Sequence, residues 1–169
     1  MWLLNIRRGF SVLALAGVCS SMAMAALSPG DPLPDLKEFG LEGTVPELAG
    51  KVVLIDVWAS WCAPCKASFP AFDELQGDKS TDGLVILAVS VDQKAKAYES
   101  FLDRMKPTFA TVRDGKQKLV AELSPPAMPT SFLFGRDGKL RSVHLGFHGD
   151  KSVVELRTEI EALLQEKSS

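Results

Sequence analysis

The sequence has few cysteines, few histidines and no excess of positive charge, and each shortage argues against a class of protein. Three cysteines in 169 residues are too few for a small fold stapled by several disulfides. Two histidines and one Cys-x-x-Cys pair argue against a finger-type zinc site. The formal net charge of −2 provides no basic surface for nucleic acid. No repeat or low-complexity segment occurs, and the length and composition are those of one ordinary globular domain.

The N-terminal segment has the features of an export signal. Arg7-Arg8 precedes an apolar run over 9–18, and Ala23-Met24-Ala25 places small residues at the two positions that signal peptidase reads. We therefore expect a signal peptide at 1–25, cleavage after Ala25, and a domain at 26–169 that is exported to the periplasm.

Three alternatives stay open for this segment. The uncharged stretch 9–29 is long enough to span a bilayer and tether the protein if cleavage fails. Cys19 could carry a lipid, although Val18 is bulky for a lipoprotein signal. Arg7-Arg8-Gly9-Phe10 partly resembles a twin-arginine signal, but an ordinary two-arginine signal explains it better, since any signal needs positive charge there.

Cleavage would remove Cys19 and leave two cysteines, Cys62 and Cys65. Two cysteines separated by two residues close too small a loop to stabilise a fold through chain entropy. We interpret the pair as reactive.

The rest of the chain alternates strands and helices. Apolar, β-branched runs predict buried strands, helical spacing predicts amphipathic helices, and short apolar pieces broken by glycine and proline at 36–50 predict a small hairpin. This order favours an α/β fold with a mixed central sheet flanked by helices, an N-terminal hairpin and a central helix-strand insertion. The predicted elements are strands at 52–58, 84–91, 109–112, 130–134 and 139–145, and helices at 63–75, 94–105, 116–123 and a last one capped by Asp150.

Cys-x-x-Cys at the start of a helix suits thiol–disulfide exchange. The exchange needs an attacking thiolate and a second thiol that resolves the mixed disulfide. Cys62 is predicted at the helix N-terminus, where free N–H groups and the helix dipole stabilise a thiolate. Cys65 is predicted one turn further in and less exposed. Pro64 is well tolerated in a first helical turn.

The segment from Asp56 to Lys66 resembles the active site of thioredoxins, and the chain from about residue 31 is similar to the TlpA-like periplasmic thiol–disulfide oxidoreductases. Pro70 matches the proline at which the family's active-site helix kinks, Met128-Pro129-Thr130 matches its cis-proline loop, and Gly146 matches the glycine after its last strand.

The resemblance implies a role for each site residue. Cys62 and Cys65 would form the redox-active disulfide, as nucleophile and resolving thiol. Pro129, in a cis peptide, would expose neighbouring backbone to a peptide and keep metals from the sulfurs. Trp58 is expected in the core. Substrate contacts are expected from Trp61, Ala63, Pro64, Met128 and Thr130.

Asp56 is the most informative residue outside the cysteines. An acid within an apolar strand should have a raised pKa, and could exchange a proton with Cys65. Thioredoxins have an Asp here, whereas many TlpA-like proteins have Asn. Two departures are notable: Ala88 replaces the lysine that thioredoxins place opposite, and Ser68 stands where cytochrome c maturation reductases of the family often have Glu.

The resemblance implies an enzyme that reduces disulfides in exported proteins, without a metal or other cofactor. Its expected partners are those proteins and a DsbD-like membrane thiol donor, and cytochrome c maturation is one pathway it could serve. Direction is open, because an oxidase or isomerase uses the same motif.

Two other classes remain. Sco-like thioredoxin folds bind copper through two cysteines and a distant histidine, but with a three-residue gap between the cysteines. A peptide-binding module would need neither cysteine. His144 and His148 are expected to be exposed polar residues.

Overall fold

The computed structural model describes residues 26–166. The predicted signal peptide at 1–25 lies outside the described residues, as do Cys19 and most of the uncharged stretch 9–29. Among the helices of the described part, none is long and apolar enough to cross a membrane.

The described chain forms one mixed six-stranded sheet with helices on both faces, which confirms the predicted fold class. A short 3-10 helix at Leu36–Phe39 precedes the first strand. The strands are β1 (Glu42–Gly43), β2 (Val52–Trp58), β3 (Leu84–Ser90), β4 (Ala110–Arg113), β5 (Thr130–Phe134) and β6 (Leu140–Leu145), and the helices are α1 (Ala63–Lys79), α2 (Ala95–Met105), α3 (Lys118–Leu123) and α4 (Asp150–Gln165).

The strand order is β1-β4-β3-β2-β5-β6. β2 lies inside the sheet, parallel to β3 and antiparallel to β5. All seven residues of β2 are buried, as expected for an apolar strand covered on both faces. The chain leaves the end of this central strand and enters α1, so the segment between them, which carries Cys62, is fixed to the middle of the sheet.

Aromatic packing attaches α1 and α2 to one face of the sheet. Trp58 of β2 is fully buried, with ring centroids 4.8 Å from Phe69 of α1 and 4.6 Å from Phe101 of α2. Such tilted and edge-on pairs add stability beyond the apolar area they bury. Asp56 lies two residues before Trp58 and therefore points to this same face. The prediction of Trp58 as a core residue is confirmed.

The predicted N-terminal hairpin is wrong. The segment 36–50 contains the 3-10 helix and the two-residue β1, which pairs antiparallel with β4 rather than with a neighbouring strand. Arg113 explains this pairing, because its guanidinium binds the carboxylate of Glu42 with nitrogen–oxygen distances of 2.5–3.1 Å. The ion pair joins positions that are far apart in sequence, and local apolar patterning does not show such a contact.

Several helix boundaries also differ from those predicted, among them that of α3, which begins at Lys118 rather than at residue 116. α1 continues past Pro70 to Lys79, beyond the predicted end at residue 75. The predicted cap of the last helix is wrong: Asp150 is its first residue and Gly149 occupies the cap position, without a side-chain hydrogen bond. Gly149 has a φ of 62°, in the left-handed region that glycine adopts without steric cost.

Candidate active site

Cys62 and Cys65 form a disulfide at the start of α1. Cys62 is the N-cap residue, and its sulfur accepts a hydrogen bond from the backbone N–H of Cys65 at 3.3 Å. Cys62 is 6% exposed and Cys65 is completely buried. The structure therefore places the two sulfurs as the sequence predicted, with Cys62 at the helix N-terminus and Cys65 one turn inside.

Asp56 is completely buried in β2, on the sheet face covered by α1. Its Oδ1 accepts a hydrogen bond of 2.6 Å from the hydroxyl of Ser131, and within the described residues its Oδ2 has no hydrogen-bond partner. Burial raises the pKa of Asp56 from 3.8 to about 7, and the Ser131 hydrogen bond limits that rise. The predicted direction of the pKa shift is confirmed.

The two departures from the family pattern each put an uncharged residue where the family has a charged one. Ala88 is paired with Asp56 across β2 and β3, at the position expected from the resemblance. Ser68 is completely buried, and its hydroxyl donates to the carbonyl of Cys65 at 2.8 Å. Ser68 therefore provides a hydrogen-bond donor for a backbone carbonyl in the first turns of α1 and adds no charge near the disulfide.

Trp61 is the most exposed large hydrophobic side chain of the described residues, at 69%. It borders a groove of about 630 Å³ whose other walls come from α3 and the loop before β5. The residues that shape it include Trp61, Gln117, Val120, Ala121, Pro125 and Met128. An apolar groove beside a reactive sulfur suits the binding of an extended segment of another protein.

The predicted substrate contacts divide into two groups. Met128 lines the groove with Trp61, and Ala63 and Pro64 are exposed at the start of α1. Thr130, in contrast, is completely buried, and its hydroxyl donates to the carbonyl of Ala127 at 2.8 Å. The Thr130 side chain is thus engaged within the protein and holds the loop that carries Met128.

The Met128–Pro129 peptide bond is cis, as the resemblance implied. Pro129 is buried, and its carbonyl accepts a hydrogen bond from the N–H of Gly146 at 2.8 Å. This contact ties the loop to the residue directly after β6. Gly146 has a φ of 72°, which accounts for a glycine at that position.

Sequence reasoning missed Asp92, a buried carboxylate that binds Ser60, the residue before Trp61. It accepts hydrogen bonds from the N–H and hydroxyl of Ser60, both at 2.9 Å, and from the hydroxyl of Ser90 at 2.8 Å. Arg113 donates to the backbone carbonyls of Asp92 and Gln93, at 3.1 Å and 2.9 Å. The only sequence signal was an acid within two residues of a buried strand end.

The two histidines have different environments. His148 is exposed, as expected. The expectation for His144 is wrong: its side chain is 15% exposed, with Nε2 3.0 Å from Oε2 of Glu159 in α4. Ser142, two residues earlier on the same face of β6, contacts both groups. Within residues 26–166, no group of three or more His, Cys, Asp or Glu side chains is arranged to hold a metal ion.

Comparison with known proteins agrees with this geometry. The Redoxin family matches residues 28–160. The thiol-disulfide oxidoreductase ResA of Geobacillus kaustophilus is 30% identical over 127 residues, which cover 75% of this chain and 72% of ResA. The thioredoxin-like protein YneN of Bacillus subtilis is 29% identical over 71% of this chain and 73% of its own length.

A solved structure gives the same result at the level of the fold. The crystal structure of a Chlorobium tepidum protein designated thiol:disulfide interchange protein DsbE is 34% identical in sequence. It superposes with a TM-score of 0.76 over 82% of this chain and 99% of that protein. The chain therefore belongs to the Redoxin family and is a thiol–disulfide oxidoreductase with a thioredoxin-like fold.

Proposed function

We propose that this chain reduces disulfide bonds in exported proteins, with Cys62 as the attacking thiolate and Cys65 as the resolving thiol. The observation that carries the proposal is the unequal burial of the two sulfurs. Cys62 keeps 6% of its surface exposed beside the exposed Trp61, whereas Cys65 has none. A substrate disulfide can approach Cys62 but not Cys65. Solvent access therefore decides that Cys62 attacks first and Cys65 second.

The first step forms a mixed disulfide. The Cys62 thiolate attacks one sulfur of the substrate disulfide, that sulfur–sulfur bond breaks, and the departing substrate thiolate takes a proton from solvent. The position of Cys62 as N-cap of α1 supports this role, because the helix N-terminus stabilises negative charge there.

The second step releases the substrate. Cys65 loses its proton and attacks Cys62, so the Cys62–Cys65 disulfide forms, the mixed disulfide breaks and the second substrate thiolate leaves. Asp56 is proposed to accept the proton of Cys65. Burial that raises the pKa of Asp56 to about 7 makes its carboxylate a far better base than an ordinary aspartate.

The groove beside Trp61 is proposed to bind unfolded or extended segments of the substrate. Met128 supplies its far wall, and Ala63 and Pro64 supply exposed surface next to Cys62. The buried Pro129 and Thr130 would act through the loop, by presenting its backbone to the substrate. Most of this surface is apolar or neutral, which suits protein segments of varied sequence.

After each turnover, the oxidised protein needs two electrons. We propose a membrane thiol donor of the DsbD type in the periplasm, reached from a chain that is either released by signal cleavage or tethered through an uncleaved signal. Cytochrome c maturation is one pathway that such a reductase serves. In this chain Ser68 stands where the family's cytochrome c maturation reductases often have glutamate.

The equilibrium potential of the Cys62–Cys65 pair tests the direction of the reaction. A reductase should have a potential near that of thioredoxin, about −270 mV, when equilibrated in dithiothreitol buffers. A value near that of DsbA, about −120 mV, would make the protein an oxidase.

Trapping tests the roles of the two cysteines. Reduced Cys65→Ser should accumulate a mixed disulfide with substrate proteins that carry disulfides, detected by non-reducing electrophoresis and mass spectrometry. The matched variant Cys62→Ser should trap nothing. Equal trapping by both variants would contradict the assigned order of attack.

A further inference from the structure

A row of paired positions crosses the sheet at the level of Asp56. In register, Asp56 of β2 is opposite Ser131 of β5, and Ser131 is opposite His144 of β6. On the other side, Asp56 is opposite Ala88 of β3. Directly paired residues project from the same face of a sheet, so these four side chains share the face that carries Asp56.

The two directions along this row differ in their capacity to pass a proton. Towards β3, the methyl group of Ala88 has no exchangeable proton. Towards β5, Ser131 places a hydroxyl 2.6 Å from Oδ1 of Asp56, and a hydroxyl both donates and accepts. Ser131 is itself buried, at 5% exposed. The polar path from Asp56 therefore leads towards β6.

The far end of the row reaches solvent. The His144 side chain is 15% exposed and the Glu159 side chain is 42% exposed, and their nearest atoms are 3.0 Å apart. Imidazole has two ring nitrogens, so it can accept a proton at one and give up a proton from the other. This end of the row thus has the chemistry of a proton shuttle at the surface.

We propose that Ser131 and His144 form the route by which Asp56 returns to solvent the proton it takes from Cys65. The inference rests on the proposed role of Asp56 in resolving the mixed disulfide. Asp56 gives its proton to the oxygen of Ser131 while the hydroxyl proton of Ser131 passes to the imidazole of His144. The imidazolium, held by Glu159, then gives a proton to solvent, and Asp56 is again a carboxylate.

The spacing suits this transfer. Side chains opposite each other in adjacent antiparallel strands have Cβ atoms about 4.5–5.5 Å apart, a gap that one bridging water between the hydroxyl and the imidazole can span. Ser131 and His144 touch neither the disulfide nor the groove in this scheme. They are positioning and relay residues that act through Asp56.

His144→Gln tests the route, because glutamine keeps an amide that can bind Glu159 but cannot shuttle a proton. Reduced protein is mixed with glutathione disulfide in weakly buffered solution, and formation and resolution of the mixed disulfide are followed separately by rapid quench. We expect resolution to slow by about tenfold or more while formation is unchanged. Added imidazole should restore the rate, and the midpoint potential should stay at the wild-type value.

His148→Gln is the matched control, since His148 is exposed and lies outside the row. It should resolve the mixed disulfide at the wild-type rate with or without imidazole. A wild-type rate for His144→Gln would overturn the proposal. So would a slow rate that imidazole does not restore, because that result indicates a structural role.

Asp56→Asn, measured alongside, separates failure of the route from failure of the function on which it rests. If Asp56→Asn resolves the mixed disulfide as fast as wild type, Asp56 is not the base and the proposed second step fails. If Asp56→Asn is slow and His144→Gln is not, the second step stands and only the route is wrong.

Discussion

The carboxylate of Asp92 accepts two hydrogen bonds from Ser60, one from its backbone N–H and one from its hydroxyl, both 2.9 Å long. Ser60 lies two residues before Cys62, in the short segment between β2 and α1. Asp92, two residues after the end of β3, therefore holds in place the turn that presents Trp61 and Cys62 to a substrate. Asp92 is 3% exposed, so these bonds are shielded from competing water.

Removal of this carboxylate should destabilise the fold. Asp92→Ala leaves the hydroxyls of Ser60 and Ser90 and one backbone N–H without their acceptor, and we expect the free energy of unfolding to fall by about 1–3 kcal/mol. Denaturant unfolding of the oxidised protein measures the loss. Asp92→Asn, which keeps one carbonyl acceptor, should lose less.

A double-mutant cycle with Ser60→Ala attributes the loss to the named pair. The effects of Ser60→Ala and Asp92→Ala should be less than additive, because both variants remove the hydrogen bond from the Ser60 hydroxyl to Asp92. Strict additivity would show that Asp92 acts through Ser90 or through the backbone N–H of Ser60 instead.

Because of Asp56, the free energy of unfolding should decrease as pH rises. The pKa of Asp56 is about 7 in the folded protein against 3.8 ordinarily, so between those values the folded state holds a proton that the unfolded state has released. Stability therefore decreases with pH across this window, and above it the full penalty of a buried carboxylate remains. The shift corresponds to about 4 kcal/mol, as an order of magnitude.

Asp56→Asn should remove that dependence. The oxidised variant should be more stable than wild type above pH 7, and the difference should shrink towards pH 4, in thermal or denaturant unfolding across the pH range. Asp114→Asn is the matched control: Asp114 is equally buried, but its oxygens accept backbone hydrogen bonds from Lys118 and Val120, so we expect no gain in stability. An unchanged pH profile in Asp56→Asn would contradict the raised pKa.

The kinetics of Asp56→Asn should separate the two exchange steps. Because only the carboxylate can accept the proton of Cys65, resolution of the mixed disulfide should speed up in wild type as pH rises through about 7. The variant should lose that acceleration and resolve more slowly, while formation of the mixed disulfide changes little. Equal slowing of both steps would argue against proton transfer by Asp56.

Local patterns in the sequence were sufficient for much of the fold and for the reactive pair. Apolar runs predicted the buried strands β2 and β3, and helical spacing predicted both ends of α2 and the start of α4 to within one residue. The burial and raised pKa of Asp56 also followed from one acid in an apolar strand. These features depend on neighbours in sequence or on burial alone.

Apart from helix boundaries, the main features that sequence reasoning missed depend on contacts between distant segments. The Arg113–Glu42 ion pair, which directs β1 to β4 instead of into a hairpin, joins residues 71 positions apart. Ser131 reaches Asp56 across 75 positions. Register between strands decides such contacts, and a single sequence does not fix register when several apolar strands could pair.

Trp61 should contribute to substrate binding rather than to the redox chemistry. It is 69% exposed and borders the groove, so Trp61→Ala removes apolar contact area without opening the core. With a protein disulfide substrate, we expect KM to rise about tenfold, equivalent to about 1.4 kcal/mol, with a smaller change in kcat. The midpoint potential should not change, because Trp61 provides neither sulfur of the Cys62–Cys65 disulfide.

A small substrate and a second exposed residue complete the test of Trp61. Glutathione disulfide is too small to fill the groove, so its kinetics should change little in Trp61→Ala. Val154 of α4 is also exposed, at 63%, but lies outside the groove, and Val154→Ala should behave as wild type with both substrates. A similar loss with glutathione disulfide, or a shifted potential, would mean that Trp61 acts on Cys62 itself.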